Sequence, residues 1–254
     1  MEEHTESLEG FVVGAAALGI ALDAAQEAAC TAYVDLLMLW NERVNLLGPA
    51  AMRQIWSRHM LDALTLVLAL PGDAVRGSVL SLVDIGSGAG FPGVPLQIAF
   101  PQWEVTLVEG TGKRARFLEE VTGALRLSST LVVAQRAEEV AHDPHHRGAY
   151  DLAVARAVTH LAGLAELALP FVTIGGTAVL YKTLDAAHQE LEDAEPARVI
   201  AGADPARILP VAPGVDTRCL VLYTKTRPTP STLPRRAGMP EHQPLSHHDL
   251  DRIR

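Results

Sequence analysis

The spacing of apolar and polar residues divides the chain into a helical first part and a longer part in which strands alternate with helices. Apolar residues recur at helical spacing from Ala29 to Val44, which predicts an amphipathic helix over residues 24–44. A second apolar run predicts a helix from Met52 to Leu70, and Pro71-Gly72 ends it.

From Leu80 onward, short apolar runs typical of strands alternate with runs at helical spacing. The predicted strands cover residues 80–85, 104–109, 130–134, 150–155, 176–182, 206–210 and 218–224. The predicted helices cover residues 94–100, 112–126, 160–170 and 185–194. This alternation predicts an α/β fold with a mostly parallel sheet that is covered on both faces, and ligands of such sheets bind at the carboxyl ends of the strands.

Three regions follow from this patterning. We expect a helical region over residues 1–74, an α/β domain over residues 75–226 and a tail over residues 227–254. Proline and histidine are frequent in the tail, which favours a loop rather than a packed element.

Composition narrows the class of protein. The 254 residues are 48% hydrophobic, which is ample for a sizeable core, and the formal net charge of −9 argues against a generally basic nucleic-acid binder while leaving room for a local basic patch. Cys30 and Cys219 lie far apart and suggest no disulfide framework. The apolar run from Phe11 to Leu22 is too short to span a bilayer, and the start Met-Glu-Glu-His lacks the positive charge of a signal peptide. We therefore expect a cytoplasmic protein with no membrane partner.

The most informative motif follows the first predicted strand and reads Asp84-Ile85-Gly86-Ser87-Gly88-Ala89-Gly90-Phe91-Pro92-Gly93. Glycines at the end of a strand let the backbone turn tightly and approach a ligand closely. The next predicted strand ends in Glu109, where a carboxylate can accept hydrogen bonds from a ribose diol. Together these residues indicate a pocket for a cofactor that contains adenosine.

Three cofactors compete for this loop. A P-loop needs a lysine directly after the glycines, and none occurs before Lys113. A dinucleotide site fits Gly88, Gly90 and Gly93, so an NAD-dependent dehydrogenase stays open as an alternative. Against it, Pro92 and Pro95 lack the N–H donors that would bind phosphate oxygens. The Asp-x-Gly-x-Gly-x-Gly arrangement that begins at Asp84 instead resembles the first motif of class I S-adenosylmethionine methyltransferases.

An ordered set of further short motifs runs from about Tyr33 to Leu245. They are Trp40-Asn41 with Asn45-Leu46, Arg58-His59 with Asp62, Asp84 to Pro95, Glu109 with Lys113-Arg114, Arg136-Ala137-Glu138, Ala155-Arg156-Ala157, Gly175-Gly176 before Lys182, and Pro234-Arg235-Arg236-Ala237-Gly238-Met239-Pro240 before Pro244-Leu245. In this order they resemble the bacterial small-subunit rRNA guanine-N7 methyltransferases, the glucose-inhibited division protein B family. The chain departs from that family at Gly110, where a small polar residue is common, and at Glu241-His242, which replace lysines of the tail.

The resemblance implies a class I methyltransferase fold, Rossmann-like, with a mostly parallel seven-stranded sheet and a small N-terminal helical extension. The implied reaction is N7 methylation of a guanine in 16S rRNA with S-adenosyl-L-methionine as cofactor. The implied partner is 16S rRNA within a small ribosomal subunit or its precursor, bound by a monomer. A non-catalytic nucleotide- or RNA-binding protein of the same fold is a second alternative.

The resemblance also implies roles for individual residues. The implied cofactor-binding residues are Asp84, Gly86, Gly88, Gly90, Phe91, Glu109, Ala137, Glu138 and Arg156. Arg156 and Lys182 are implied to position the reacting groups. The candidate RNA-binding residues are Arg58, Lys113, Arg114, Arg235 and Arg236, and Lys225 and Arg227 precede the last two with no acidic residue between. No metal is expected, because adjacent histidines such as those of His142 to His146 rarely point to one centre.

Overall fold

A computed structural model describes residues 6–72, 78–211 and 218–253, and its strands form one seven-stranded sheet in the order β3-β2-β1-β4-β5-β7-β6. The strands are β1 Ser81–Ile85, β2 Glu104–Val108, β3 Thr130–Val133, β4 Tyr150–Arg156, β5 Val172–Thr183, β6 Arg207–Pro210 and β7 Arg218–Thr224. The recorded pairs are parallel except those of β7, which pairs antiparallel with both β5 and β6. The predicted fold class is therefore confirmed.

The structure has α-helices at most of the predicted positions and at several others. They are α1 Leu8–Ala17, α2 Ala24–Val44, α3 Pro49–Met52, α4 Asp62–Leu64, α5 Gly93–Ala99, α6 Gly112–Ala124, α7 Ala137–Val140, α8 Leu161–Ala168, α9 Leu184–Ala201, α10 Met239–His242 and α11 His247–Ile253. The chain divides into two compact units by contacts, one made of residues 1–79 and 87–134 and the other of residues 80–86 and 135–254. The predicted regions 1–74, 75–226 and 227–254 have other limits than these two units, and they stay predictions.

In the first unit, α2 is fixed at its start by a reciprocal cap. Asp23 accepts a hydrogen bond from the Gln26 amide, and Gln26 Oε1 accepts one from the Asp23 amide. Gln26 Nε2 also donates to the carbonyls of Ile98 and Ala99, which end α5 and would otherwise lack partners. The same glutamine therefore caps one helix and terminates another.

The predicted helix from Met52 to Leu70 is wrong as one continuous helix. The chain instead forms α3, a π-helix over Trp56–Leu61, α4, and a 3-10 helix over Thr65–Ala69. Packing against α1 overrides the helical spacing here. The Trp56 ring lies 5.7 Å from the Phe11 ring, and the Leu61 side chain packs on Gly14 so closely that a Cβ at position 14 would lie 2.6 Å from Leu61 Cδ2. Single π-helical turns of this kind are frequent at functional sites.

In the second unit, β1, β4 and β5 form a parallel core, and its buried centre consists of the short apolar runs Leu-Val in β1, Leu-Ala-Val-Ala in β4 and Ala-Val-Leu in β5. Strand β5 begins at Val172, four positions before its predicted start at 176, and the pair Gly175-Gly176 lies inside the strand. A Cβ on Gly176 would lie 2.6 Å from the Asp151 carbonyl oxygen, so glycine permits the close approach of two backbones there.

The prediction of an unpacked tail is also wrong. Leu233 and Leu245 are buried, and Arg147 donates hydrogen bonds to the carbonyls of Thr229, Pro230 and Leu233. The proline-rich segment forms few hydrogen bonds with itself, so a guanidinium with five donors supplies the partners that its carbonyls need. The tail is thus a structural part of the second unit.

Lys225 is the first correction to the list of candidate RNA contacts. Its side chain is only 4% exposed, and Nζ donates to the carbonyls of Leu169 and Val172 at 2.8 and 2.7 Å. Burial, with a smaller contribution from Arg147, lowers the pKa of Lys225 to about 8. The residue therefore serves the fold rather than a surface.

This pKa makes stability depend on pH with a definite sign. Between pH 8 and 10.5 the unfolded lysine holds a proton that the folded one has lost, so the free energy of unfolding should rise with pH over that window, by about 3 kcal/mol for this group. Urea melts of the wild type and of Lys225→Met at pH 7.5 and 10 measure the difference. Lys113→Met, at an exposed position, is the control that should keep the wild-type slope. Equal slopes in the wild type and Lys225→Met would show that Lys225 does not titrate in this window.

Candidate functional site

In the first unit, the glycine loop from Ser87 to Gly93 turns tightly against α2. Gly88 and Gly90 have φ of +57° and +95°, which residues with a Cβ rarely adopt. A Cβ on Gly90 would lie 2.8 Å from Val94 Cγ2 and 2.9 Å from the Tyr33 hydroxyl. Both the backbone conformation and the space therefore require glycine at position 90.

A cluster of aromatic rings holds this loop. The buried hydroxyl of Tyr33 donates to the Ala89 carbonyl at 2.5 Å, and its ring lies 5.5 Å from that of Phe91. The ring of His59, in the π-helix, also lies 5.1 Å from the Phe91 ring. The sequence predicted Tyr33 only as one apolar position of the helix over residues 24–44. A tyrosine hydroxyl on the apolar face of a helix needs a hydrogen-bond partner when it is buried, and this requirement was the sign that Tyr33 contacts another segment.

Glu109 joins the glycine loop to the end of β2. The carboxylate is 5% exposed and accepts hydrogen bonds from the amides of Gly88, at 2.9 Å, and Thr111, at 2.7 Å. A carboxylate has about four acceptor positions, so about two stay available for the hydroxyls of a ribose. The structure therefore brings Gly88 and Glu109 together, and the remaining acceptor positions of the carboxylate fit the hydroxyls of a nucleoside diol.

The conformation of Gly90 leads to a prediction about stability. Gly90→Ala should lower the free energy of unfolding by about 2 kcal/mol, because the new methyl group meets Val94 and Tyr33 and the positive φ becomes strained. Gly123→Ala is the matched control, since Gly123 lies in α6 and nothing is within 4 Å of an added Cβ. Urea denaturation compares the two, and equal midpoints would contradict the proposed constraint.

In the second unit, β1 ends in Asp84-Ile85 and is followed by Gly86. Asp84 is fully buried and lies in register with Val154 of β4. Gly86 has a φ of +66°, and a Cβ there would lie 2.8 Å from Cγ2 of Val158, just beyond the end of β4. Glycine thus lets the carboxyl end of β1 approach the segment that follows Arg156.

Ala137 and Glu138 begin α7. Glu138 is 5% exposed, and its Oε1 accepts hydrogen bonds from the Gly238 amide at 2.9 Å and from Arg136 at 3.2 Å. Burial opposes ionisation, but the backbone hydrogen bonds and Arg136 outweigh it and lower the pKa of Glu138. The side chain therefore binds the tail of the chain, a contact that the sequence did not suggest.

The two residues implied to position the reacting groups lie at strand ends of the second unit. Arg156 is the last residue of β4, is partly exposed, and pairs in register with Tyr181 of β5. Lys182, next to Tyr181, donates to Glu190 at 2.6 Å and to the Thr159 carbonyl at 3.1 Å. Lys182 is thus engaged by the fold, and its role toward a substrate stays a prediction.

The candidate RNA contacts differ in how much of each side chain is exposed. Arg58 on the π-helix and Lys113 at the start of α6 are exposed, and Arg114 is partly exposed. Arg235 is not a surface cation: Nε and Nη2 bind the fully buried carboxylate of Glu166 at 2.9 and 2.6 Å. Arg235 thus forms a structural ion pair, and its contact with RNA stays a prediction.

The histidines of the run His142 to His146 have separate partners. A ring nitrogen of His142 lies 2.8 Å from the Pro234 carbonyl oxygen, and one of His146 lies 2.5 Å from the Tyr150 hydroxyl. Within residues 6–72, 78–211 and 218–253, no group of three or more His, Cys, Asp or Glu side chains could hold a metal ion. Over the same residues, every helix is too short or too polar to cross a membrane.

Solved structures with a similar fold include methyltransferases. A geranyl diphosphate C-methyltransferase from Streptomyces coelicolor aligns with a TM-score of 0.52 and 15% identity, covering 80% of this chain and 99% of the other. The S-adenosylmethionine-dependent methyltransferase SibL aligns with a TM-score of 0.52 and 18% identity, covering 71% of this chain and 60% of the other. At this identity the likeness shows the class I methyltransferase fold.

Sequence relatives give the family. A family model described as rRNA small subunit methyltransferase G matches residues 26–211. Proteins named ribosomal RNA small subunit methyltransferase G are 42% identical to this chain in Dehalococcoides mccartyi, over 92% of this chain and 98% of that protein, and 42% identical in Roseiflexus castenholzii, over 89% and 95%. The resemblance drawn from the motifs is confirmed: this chain belongs to the rRNA small subunit methyltransferase G family.

Proposed function

We propose that the chain transfers a methyl group from S-adenosylmethionine to N7 of a guanine in 16S rRNA. Its membership in the rRNA small subunit methyltransferase G family is the observation that carries the enzyme class and the rRNA substrate. The same membership favours a methyltransferase over the dehydrogenase and over a non-catalytic binding protein. The choice of N7 rests on the resemblance of the motifs.

The residues around the glycine loop are proposed to bind the cofactor. Gly88 and Gly90 give the backbone its close turn, Phe91 adds an apolar wall, and Glu109 accepts hydrogen bonds from the ribose diol. The implied roles of Asp84, Gly86, Ala137, Glu138 and Arg156 toward the cofactor are kept as proposals. S-adenosylmethionine, when bound, supplies an electrophilic methyl group on a sulfonium.

The proposed reaction asks for positioning rather than proton transfer. Guanine N7 has a lone pair in the plane of the ring, so no base needs to remove a proton before attack. The chain must hold the nucleophile, the methyl carbon and the sulfur in line. Arg156 is proposed to orient the base or a nearby phosphate, and no covalent nucleophile is required. Variants of this residue should slow the reaction without abolishing it.

The proposed substrate is a folded small ribosomal subunit or its precursor, bound by a monomer in the cytoplasm. The net charge of −9 leaves little general attraction to naked RNA, whereas a particle can present an unstacked base and nearby phosphates in a fixed shape. Arg58, Lys113 and Arg114 are proposed as phosphate contacts.

The proposal is tested by methylating ribosomal particles in vitro. Small subunits from a strain that lacks this protein are incubated with the purified chain and S-adenosylmethionine carrying a labelled methyl group. We expect one methyl group per subunit on one guanine, with strand scission after borohydride and aniline treatment marking N7. Label on another atom would refute the N7 assignment, and absence of label would refute the activity on this particle.

A binding control separates the two cofactor classes. Calorimetry with S-adenosylhomocysteine should show saturable binding, and the same titration with NAD should show none. The reverse result would restore the dehydrogenase hypothesis.

A further inference from the structure

The segment that follows Arg235 forms a tight turn that is closed by its own backbone. The Met239 amide donates to the Arg236 carbonyl at 3.0 Å, and Gly238 has φ +82° and ψ −17°. Ala237 is not among the residues with positive φ, so the geometry is that of a type II β-turn with glycine at its third position. Such a turn fixes the backbone at its first position, which is Arg236.

Both sides of this turn are anchored to buried carboxylates. Before it, Glu166, which is fully buried, accepts hydrogen bonds from the Arg235 amide at 2.8 Å and from its guanidinium. Within it, the Gly238 amide donates to Glu138 at 2.9 Å. After it, Pro240 is buried, and its carbonyl leaves no room for a Cβ at position 163. Charge-assisted hydrogen bonds at two points make this a rigid projection rather than a loose tail.

Arg236 lies between these two anchors and is exposed, and its guanidinium forms no hydrogen bond or ion pair with the described residues. Arg136, with a side chain 50% exposed, contacts the same oxygen of Glu138 that holds Gly238. The carboxylate that would repel an anion is thus buried and neutralised. Glu139 and Glu241 are exposed nearby in sequence, so this surface has no large net charge, and any anion bound here is selected by geometry.

We infer that the turn Arg236–Met239 is an RNA-binding element in which Arg236 contacts a backbone phosphate of the rRNA, with Glu138 and Glu166 as positioning residues. The inference rests on the proposed function, because it takes a folded rRNA as the ligand. It also divides the two neighbouring arginines: Arg235 anchors the element, and Arg236 makes the contact. An exposed guanidinium on a turn whose backbone is anchored suits a phosphate, because its planar group can donate two parallel hydrogen bonds.

Binding of the full chain to purified small subunits by co-sedimentation, at several salt concentrations, tests the inference independently of methyl transfer. Arg236→Gln should weaken binding about tenfold and reduce the slope of log K against log salt by about 1, with unchanged affinity for S-adenosylhomocysteine. Arg207→Gln is the control, since it removes the same charge from an exposed position on β6 and should match the wild type. Arg236→Lys should keep the salt slope and lose part of the affinity.

The outcomes separate the inference from the proposed function. Wild-type affinity and salt slope in Arg236→Gln would overturn the inference while methyl transfer by the wild type would still support the function. Binding without methyl transfer by the wild type would refute the function, and the salt slope of Arg236→Gln would still decide the role of the turn. A wild type that binds no small subunit would overturn both.

Discussion

Glu109→Ala should weaken the binding of S-adenosylhomocysteine about 100-fold, the largest effect on cofactor affinity that we expect from one substitution. The carboxylate is buried beside the Gly88 amide, so the substitution would remove the two hydrogen bonds that we propose for the ribose, together with the support of the glycine loop. Glu109→Gln should lose less, about tenfold, because the amide oxygen still accepts hydrogen bonds. Isothermal titration calorimetry measures both.

The control for this prediction lies on the same strand. Glu104 begins β2 and is exposed, so Glu104→Ala should leave the affinity at the wild-type value. Circular dichroism and urea melts of each variant show whether it is folded. A folded Glu109→Ala with wild-type affinity would remove Glu109 from the cofactor site.

Glu166→Ala should lower the free energy of unfolding by about 3–5 kcal/mol, the largest effect on stability that we expect. Its carboxylate is fully buried and binds the amide and the guanidinium of Arg235, so the substitution leaves the Arg235 charge without its partner at a position only 23% exposed. A loss of this size corresponds to a decrease in Tm of roughly 10 °C for a chain of this length. Differential scanning calorimetry measures it.

A double variant distinguishes the loss of the ion-pair partner of Arg235 from the loss of side-chain volume at position 166. Glu166→Met with Arg235→Met replaces both members by apolar groups, and it should recover most of the stability lost in Glu166→Ala. Glu192→Ala, at an exposed position on α9, should change the free energy of unfolding by less than about 0.5 kcal/mol. If the double variant is as unstable as Glu166→Ala, the ion pair is not the cause.

The pattern of apolar residues predicted the strands well because strands that are buried on both faces need continuous apolar runs. Strands β1, β2 and β7 begin and end within one residue of their predicted bounds. The sequence also predicted that the glycine loop and Glu109 act together, because glycines after one strand and an acid after the next are typical of a nucleoside-binding site; that role stays a prediction. The Gly88 to Glu109 hydrogen bond supports that interpretation.

The errors arose where contacts distant in sequence decide the local structure. The change of winding between Trp56 and Ala69 depends on packing against α1, which periodicity cannot show. The tail looked unpacked because its partners, Arg147 and Glu166, lie more than 60 residues away. Charge alone could not tell the anchored Arg235 from its exposed neighbour Arg236, since that difference depends on one buried carboxylate.

A crystal structure of the chain with S-adenosylhomocysteine tests the central claim most directly. The account predicts both ribose hydroxyls within about 3 Å of the Glu109 carboxylate oxygens, with the sugar over the glycine loop. A ribose bound elsewhere, with no hydrogen bond to Glu109, would contradict it.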